Sequence, residues 1–122
     1  MQQLLNNLTF KKTYLKKSSM TSGNEYLITL KNKRNSKIVK FHYHDNIYNE
    51  SDIEDILYCF TADVRAFESC YNFKDFCDSF GYSTDSIQAL KIYNACRKQH
   101  ERFNKIFDEE EQKKLIDFYD NY

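Results

Sequence analysis

The sequence predicts an α+β fold, a small antiparallel β-sheet of about three strands in the N-terminal half packed against three to four α-helices. Three observations predict it. Residues 8–44 hold three runs in which apolar and polar side chains alternate with period two, the mark of half-buried strands. From about residue 48 the apolar period becomes three and four, the spacing of one buried helical face. With two glycines and no proline in 122 residues, the turns fall to Asn and Ser, so each glycine carries positional information.

In the first run Leu8, Phe10 and Tyr14 alternate with Thr9, Lys11 and Thr13. Tyr26, Ile28 and Leu30 then oppose Leu27, Thr29 and Lys31, and Val39, Phe41 and Tyr43 oppose Ile38, Lys40, His42 and His44. The polar NKRNS between the second and third runs predicts a hairpin over 25–44, whereas KKSSMTSGN, containing Gly23, reads as a longer loop. One face of this sheet should meet the core and the other should stay wet and collect much of the lysine.

Three to four helices are expected after it. Ser51 with Glu54 forms a capping-box pattern ahead of the stripe Ile53, Ile56, Leu57, Phe60 and Val64. After a turn over 69–72, Phe73, Phe76, Cys77 and Phe80 face one way in a helix of about two turns that stops at Gly81. The spine follows, its start assigned to Ser83, Thr84 and Asp85 with Gln88 completing a box. Its buried face is Ala89, Leu90, Tyr93, Cys96, His100, Phe103, Ile106 and Phe107. Lys91, Asn94, Arg97, Lys98, Glu101 and Lys105 lie opposite. Asp108 caps a last helix with three glutamates at its positive end, docked by Leu115, Ile116 and Tyr119.

Length suits one domain over 1–122, strand-rich and basic over 1–46, helical and acidic over 47–122. Formal charge is zero, yet residues 1–45 hold nine Lys or Arg against Glu25 and Asp45, and the remainder reverses that surplus. No run approaches the roughly 18 apolar residues of a membrane span, and the N-terminal patch is too short and interrupted for a signal peptide. A cytoplasmic protein is expected. Cys59, Cys70, Cys77 and Cys96 match no paired zinc spacing and read as free structural thiols.

Several groups could carry chemistry. His42 and His44 share one face of a strand, with Asp45 at its end, and could reach one metal ion; two solvent-facing histidines on an edge strand explain the same pattern. Cys96 and His100 stand at i and i+4, but on the apolar stripe, where packing is the simpler account. Asp52, Glu54, Asp55, Asp63 and Glu68 could pair as carboxylates, or cap a helix and face solvent. The basic set Lys11, Lys12, Lys16, Lys17, Lys31, Lys33, Arg34, Lys37 and Lys40 falls on the strands and loops of one sheet, interleaved with Tyr14 and Tyr43, a composition that binds phosphate backbones and stacks bases. Exposed strands also favour lysine as protection against edge pairing, and a pI near 6.8 is not that of a dedicated nucleic-acid binder.

Phe73, Phe76, Cys77, Phe80, Gly81, Tyr82, Asp85, Ser86 and Ala89 form an FxxFCxxFGYxxDSxxA run, preceded by DILYCFTADV and by an N-terminal segment starting LTF. Over residues 8–107 the chain resembles a group of small phage- and prophage-encoded accessory proteins. It departs from them in its lysine- and asparagine-rich composition and its extended acidic C-terminal helix. The resemblance implies origin rather than activity and carries no catalytic residues. Accessory proteins of this kind act by binding a host or phage macromolecule, CRISPR effectors among them. The expectation is therefore a non-enzymatic protein, without cofactor or metal, that binds a protein partner in the bacterial host cytoplasm, an anti-CRISPR or other anti-defence inhibitor for example. The alternative is a nucleic-acid-binding factor of phage replication or recombination that uses the basic sheet.

Overall fold

A computed structural model describes residues 1–45 and 52–121. In chain order they form α1 (Gln2–Asn6), β1 (Leu8–Lys17), β2 (Asn24–Asn32), β3 (Lys37–His44), α2 (Ile53–Glu68), α3 (Phe73–Phe80), α4 (Ile87–Ile106) and α5 (Glu109–Asp120). The architecture is the expected α+β, a three-stranded antiparallel sheet in the order β1-β2-β3 with helices on one side. The short α1 is the element that was not foreseen: five residues give too little periodicity to register, although Leu4 is buried.

Strand register follows the period-two pattern. Ile28 pairs with Lys12 and Phe41, and Leu30 with Phe10 and Val39, so one face gathers Ile28, Leu30, Val39 and Phe41, all buried. A bulge between Tyr14 and Lys16 leaves Leu15 as the extra residue of the outer strand. In the β2–β3 turn Ser36, rather than an asparagine, takes the left-handed conformation, at φ 62°. Asn35 is otherwise engaged: its Oδ1 accepts the Lys37 N–H at 2.9 Å and its Nδ2 donates to the Ile106 carbonyl at 3.1 Å.

Helix starts differ from expectation by one residue in two places. Ser51 lies outside the described residues, and α2 is capped by Asp52, whose side chain accepts the Asp55 N–H at 3.0 Å while Asp55 returns to Asp52. At α4 the cap is Ser86, accepting the Ala89 N–H at 3.1 Å, not Asp85 with Gln88. The reason is the preceding turn: Ser86 N–H donates to the Ser83 carbonyl and Asp85 N–H to the Ser83 hydroxyl, which places Ser86 at the junction. Asn72 caps α3, and Gly81 ends it at φ 75°, where a side chain would be strained by backbone geometry alone. Asp108 and Glu111 form the box of α5 as expected.

Rings from strands and helices meet in one core. Phe60 of α2 packs edge-on against Phe41 of β3 and Phe103 of α4, with centroids 4.9 and 5.5 Å apart. A second group is centred on Tyr93, which touches Phe67, Phe73 and Phe76 at 5.3–5.6 Å. Four residues expected on the apolar faces lie outside: Phe80 and Leu90 of the helices are 49% and 44% exposed, and Phe10 and Tyr14, on the edge strand β1, are exposed as well. Gln99, read from sequence on neither face, is buried.

The turn of the hairpin is tied to the α4–α5 corner. Asn32, fully buried, donates through Nδ2 to the Ile106 carbonyl at 2.9 Å and to both Glu111 carboxylate oxygens at 3.1 and 3.3 Å. Arg34 binds Glu111 at 2.9 Å and also Asp108. Burial pushes the Glu111 carboxyl up, but Arg34, the Asp108 backbone and Asn32 together outweigh it and hold the group below the ordinary value of 4.5.

A carboxyl depressed on folding adds stability above its unfolded pKa, so that contribution is complete above about pH 4.5 and disappears as pH falls through the lower folded value. Urea unfolding between pH 5 and 3 should lose this slope in Glu111→Gln; an unchanged slope would show that the corner is not ion-stabilised. The Thr61 hydroxyl is buried without a hydrogen-bond partner among the described residues. Thr61→Val should therefore raise stability by about 1 kcal/mol, read as a melting temperature higher by roughly 3–5 °C.

Candidate functional site

The register sorts the predicted basic set onto two faces. Lys11 pairs with Thr29 and Thr29 with Lys40, Thr9 pairs with Lys31, and Lys16 with Glu25; these lysines share the face turned away from the helices. Lys12, Lys17 and Lys37 pair into the helix-side face, and Lys33 and Arg34 sit in the hairpin turn. On the open face Thr9, Lys11, Thr13, Lys16, Lys31, Ile38, Lys40 and His42 are all exposed. Tyr14 and Tyr43 lie with Tyr26 on the opposite face, so the expected interleaving of rings with these lysines does not occur. A one-residue offset in a strand is enough to separate them.

Part of the set is already engaged within the fold. Lys12 lies 3.2 Å from Asp45 and 4.3 Å above the Tyr26 ring. Lys16 is 3.7 Å from Glu25, and Arg34 belongs to the corner described above. Lys11, Lys31 and Lys40 remain as the basic centre of the open face.

His42 and His44 share that face as expected, but their rings are spent separately. His42 Nδ1–H donates to Glu25 at 2.6 Å, and His44 Nδ1 bonds the Ser18 hydroxyl at 2.7 Å. The hydrogen bond from His42, reinforced by Lys16 and His44, holds the Glu25 carboxyl below its usual range. Asp45 turns to the other face, accepting from Lys12 and from the Asn24 N–H. The trio His42, His44 and Asp45 thus does not converge, and among the described residues no three His, Cys, Asp or Glu side chains are placed to hold an ion.

Neither nucleophile nor carboxylate pair assembles from the other candidates. His100 Nε2 is 3.1 Å from Glu68 and its ring lies 5.1 Å from that of Phe67, with no bond to Cys96. Burial pushes the Cys96 thiol up to about 11, the wrong direction for a reactive thiolate. Asp52 and Asp55 are consumed in the α2 cap. Asp63 is different: burial alone raises its carboxyl to about 6.

A further surface was missed because charge was counted by halves. α4 lies in the acidic half, yet Lys91, Arg97, Lys98, Arg102 and Lys105 oppose a single acid, Glu101. Averaging with the acidic α2 and α5 concealed this; counting by helix would have exposed it. Lys91, Lys98 and Arg102 border a cleft of about 440 Å³ between α4 and β3, reaching Phe41, Asp63 and Gln99.

All four thiols are free, Cys59 exposed, Cys70 half-buried, Cys77 and Cys96 buried. An aromatic disulfide reagent should modify Cys59 first and reach Cys77 and Cys96 only in denaturant. Equal rates at all four would contradict the packing of α3 and α4. Comparison with protein-family models, curated proteins and solved structures finds no significant match to this chain.

Proposed function

We propose that the chain is a non-enzymatic accessory protein that works by protein–protein binding through the open face of its sheet. The observation that carries this reading is the composition of that face: Lys11, Lys31 and Lys40 among threonines and Ile38, with the Phe and Tyr rings of the strands turned to the other side. Lysines there supply electrostatic complementarity to an acidic partner, and the aliphatic and threonine groups between them supply surface to desolvate. Single-stranded nucleic acid would call for rings beside the cations, and here they are apart.

The resemblance of the run from Phe73 to Ala89 to phage-encoded accessory proteins supports a more specific version. In it the partner is an acidic surface of a bacterial defence protein, such as a CRISPR-Cas effector, whose action the chain inhibits. The alternative, a nucleic-acid-binding factor of phage replication or recombination, keeps the same lysines but predicts gel retardation of DNA or RNA at about 50 mM salt that weakens steeply as salt rises.

The test is phage plating on cells carrying an active CRISPR-Cas system, with the purified effector co-eluted in parallel. The wild-type chain should restore plating and co-elute stoichiometrically. Lys11→Glu/Lys31→Glu/Lys40→Glu should do neither while melting at the wild-type temperature, since all three positions are exposed. Unrestored plating by the wild type removes the anti-CRISPR version. Equal capture of the effector by the triple variant removes the sheet face as the docking surface.

A further inference from the structure

We propose that the cleft between α4 and β3, which meets the open sheet face at His42, is a binding site for a small phosphorylated organic anion. Lys91, Lys98 and Arg102 stand at i, i+7 and i+11, within one narrow stripe of the helix. Lys98 and Arg102 are one turn apart, close enough to hold a single phosphate between an ammonium and a guanidinium fork. Lys91 lies about 10 Å further along the axis, a sugar's length away, and so reaches a second anionic group.

The rest of the cleft shapes this into a site rather than a solvated stripe. Buried Phe41 forms part of its lining, and the volume of about 440 Å³ falls in the range of small-ligand pockets. Buried Gln99 accepts from Arg102 Nη1 at 2.8 Å, which orients the guanidinium without neutralising it. Burial lowers the Arg102 pKa, as expected for a cation partly withdrawn from water. None of the three cations forms an ion pair among the described residues, in contrast to Lys12, Lys16 and Arg34 on the sheet. The site lacks an exposed ring to stack a base, because Phe41 is buried; a phosphosugar type of ligand fits better than a nucleotide. Asp63, at the same cleft, opposes an anion whenever it is ionised.

The experiment is a titration of the full chain with a hexose bisphosphate, followed by backbone amide NMR at constant ionic strength and pH 7. Saturable shifts should concentrate at residues 41–42, 63 and 91–102. Lys98→Ala, an exposed change, should weaken binding about tenfold, the loss expected for one charge-assisted hydrogen bond. Arg102→Lys, which keeps charge but loses the fork, should also weaken it. Asp63→Asn should tighten it, and Lys11→Ala on the far sheet face should leave it unchanged. Absence of saturation, shifts centred on the sheet face, or wild-type affinity in Lys98→Ala each overturns the proposal. So does retention of a short oligonucleotide in the cleft when the bisphosphate fails to bind.

Discussion

The buried amide of Asn32 is the contact on which the arrangement of sheet and helices depends. It is fully inaccessible, and its Nδ2 must find acceptors; it finds the last carbonyl of α4 and the carboxylate of Glu111 in α5. A buried amide without acceptors costs several kilocalories, which favours the packing that brings the α4–α5 corner to the hairpin turn. Asn35 and Arg34 add to the same junction, and Asn32 Oδ1 accepts the Arg34 N–H to set the turn.

With the corner fixed, the core closes around Phe60. Its ring meets β3 through Phe41, α4 through Phe103 and the end of α4 through Phe107. Tyr119 of α5 bonds the Glu54 carbonyl of α2 at 3.0 Å and so holds the last helix against the first long one. Buried side chains of α1, the three strands, α2, α4 and α5 thus belong to one cluster, and the basic and acidic halves of the chain share it. Helices cover one side of the sheet, and that asymmetry leaves the lysine-bearing side available.

The consequence for function is a molecule with two cationic surfaces of different character. The sheet face is broad and mixes lysine with threonine and aliphatic groups, while the α4 surface is narrow and borders a cleft. Elsewhere on the sheet, Lys16 pairs with Glu25 and Arg34 with Glu111. No helix among the described residues is long and apolar enough to cross a membrane.

Alternation over residues 8–44 and the three-and-four spacing beyond them determine the strands, the four helices after the sheet and most of the core, because each pattern requires a particular backbone period to bury its apolar side chains. Gly81 and Asp108 likewise mark helix ends through chemistry local to each residue. Tertiary structure decided the rest. Whether His42 serves a metal or Glu25 depends on which strand lies alongside. Asn32 is buried because the α4–α5 corner reaches it, and the burial of Gln99 and the exposure of Phe80 and Leu90 are set by how the elements pack. These are contacts between residues far apart in the chain, and no local spacing encodes them.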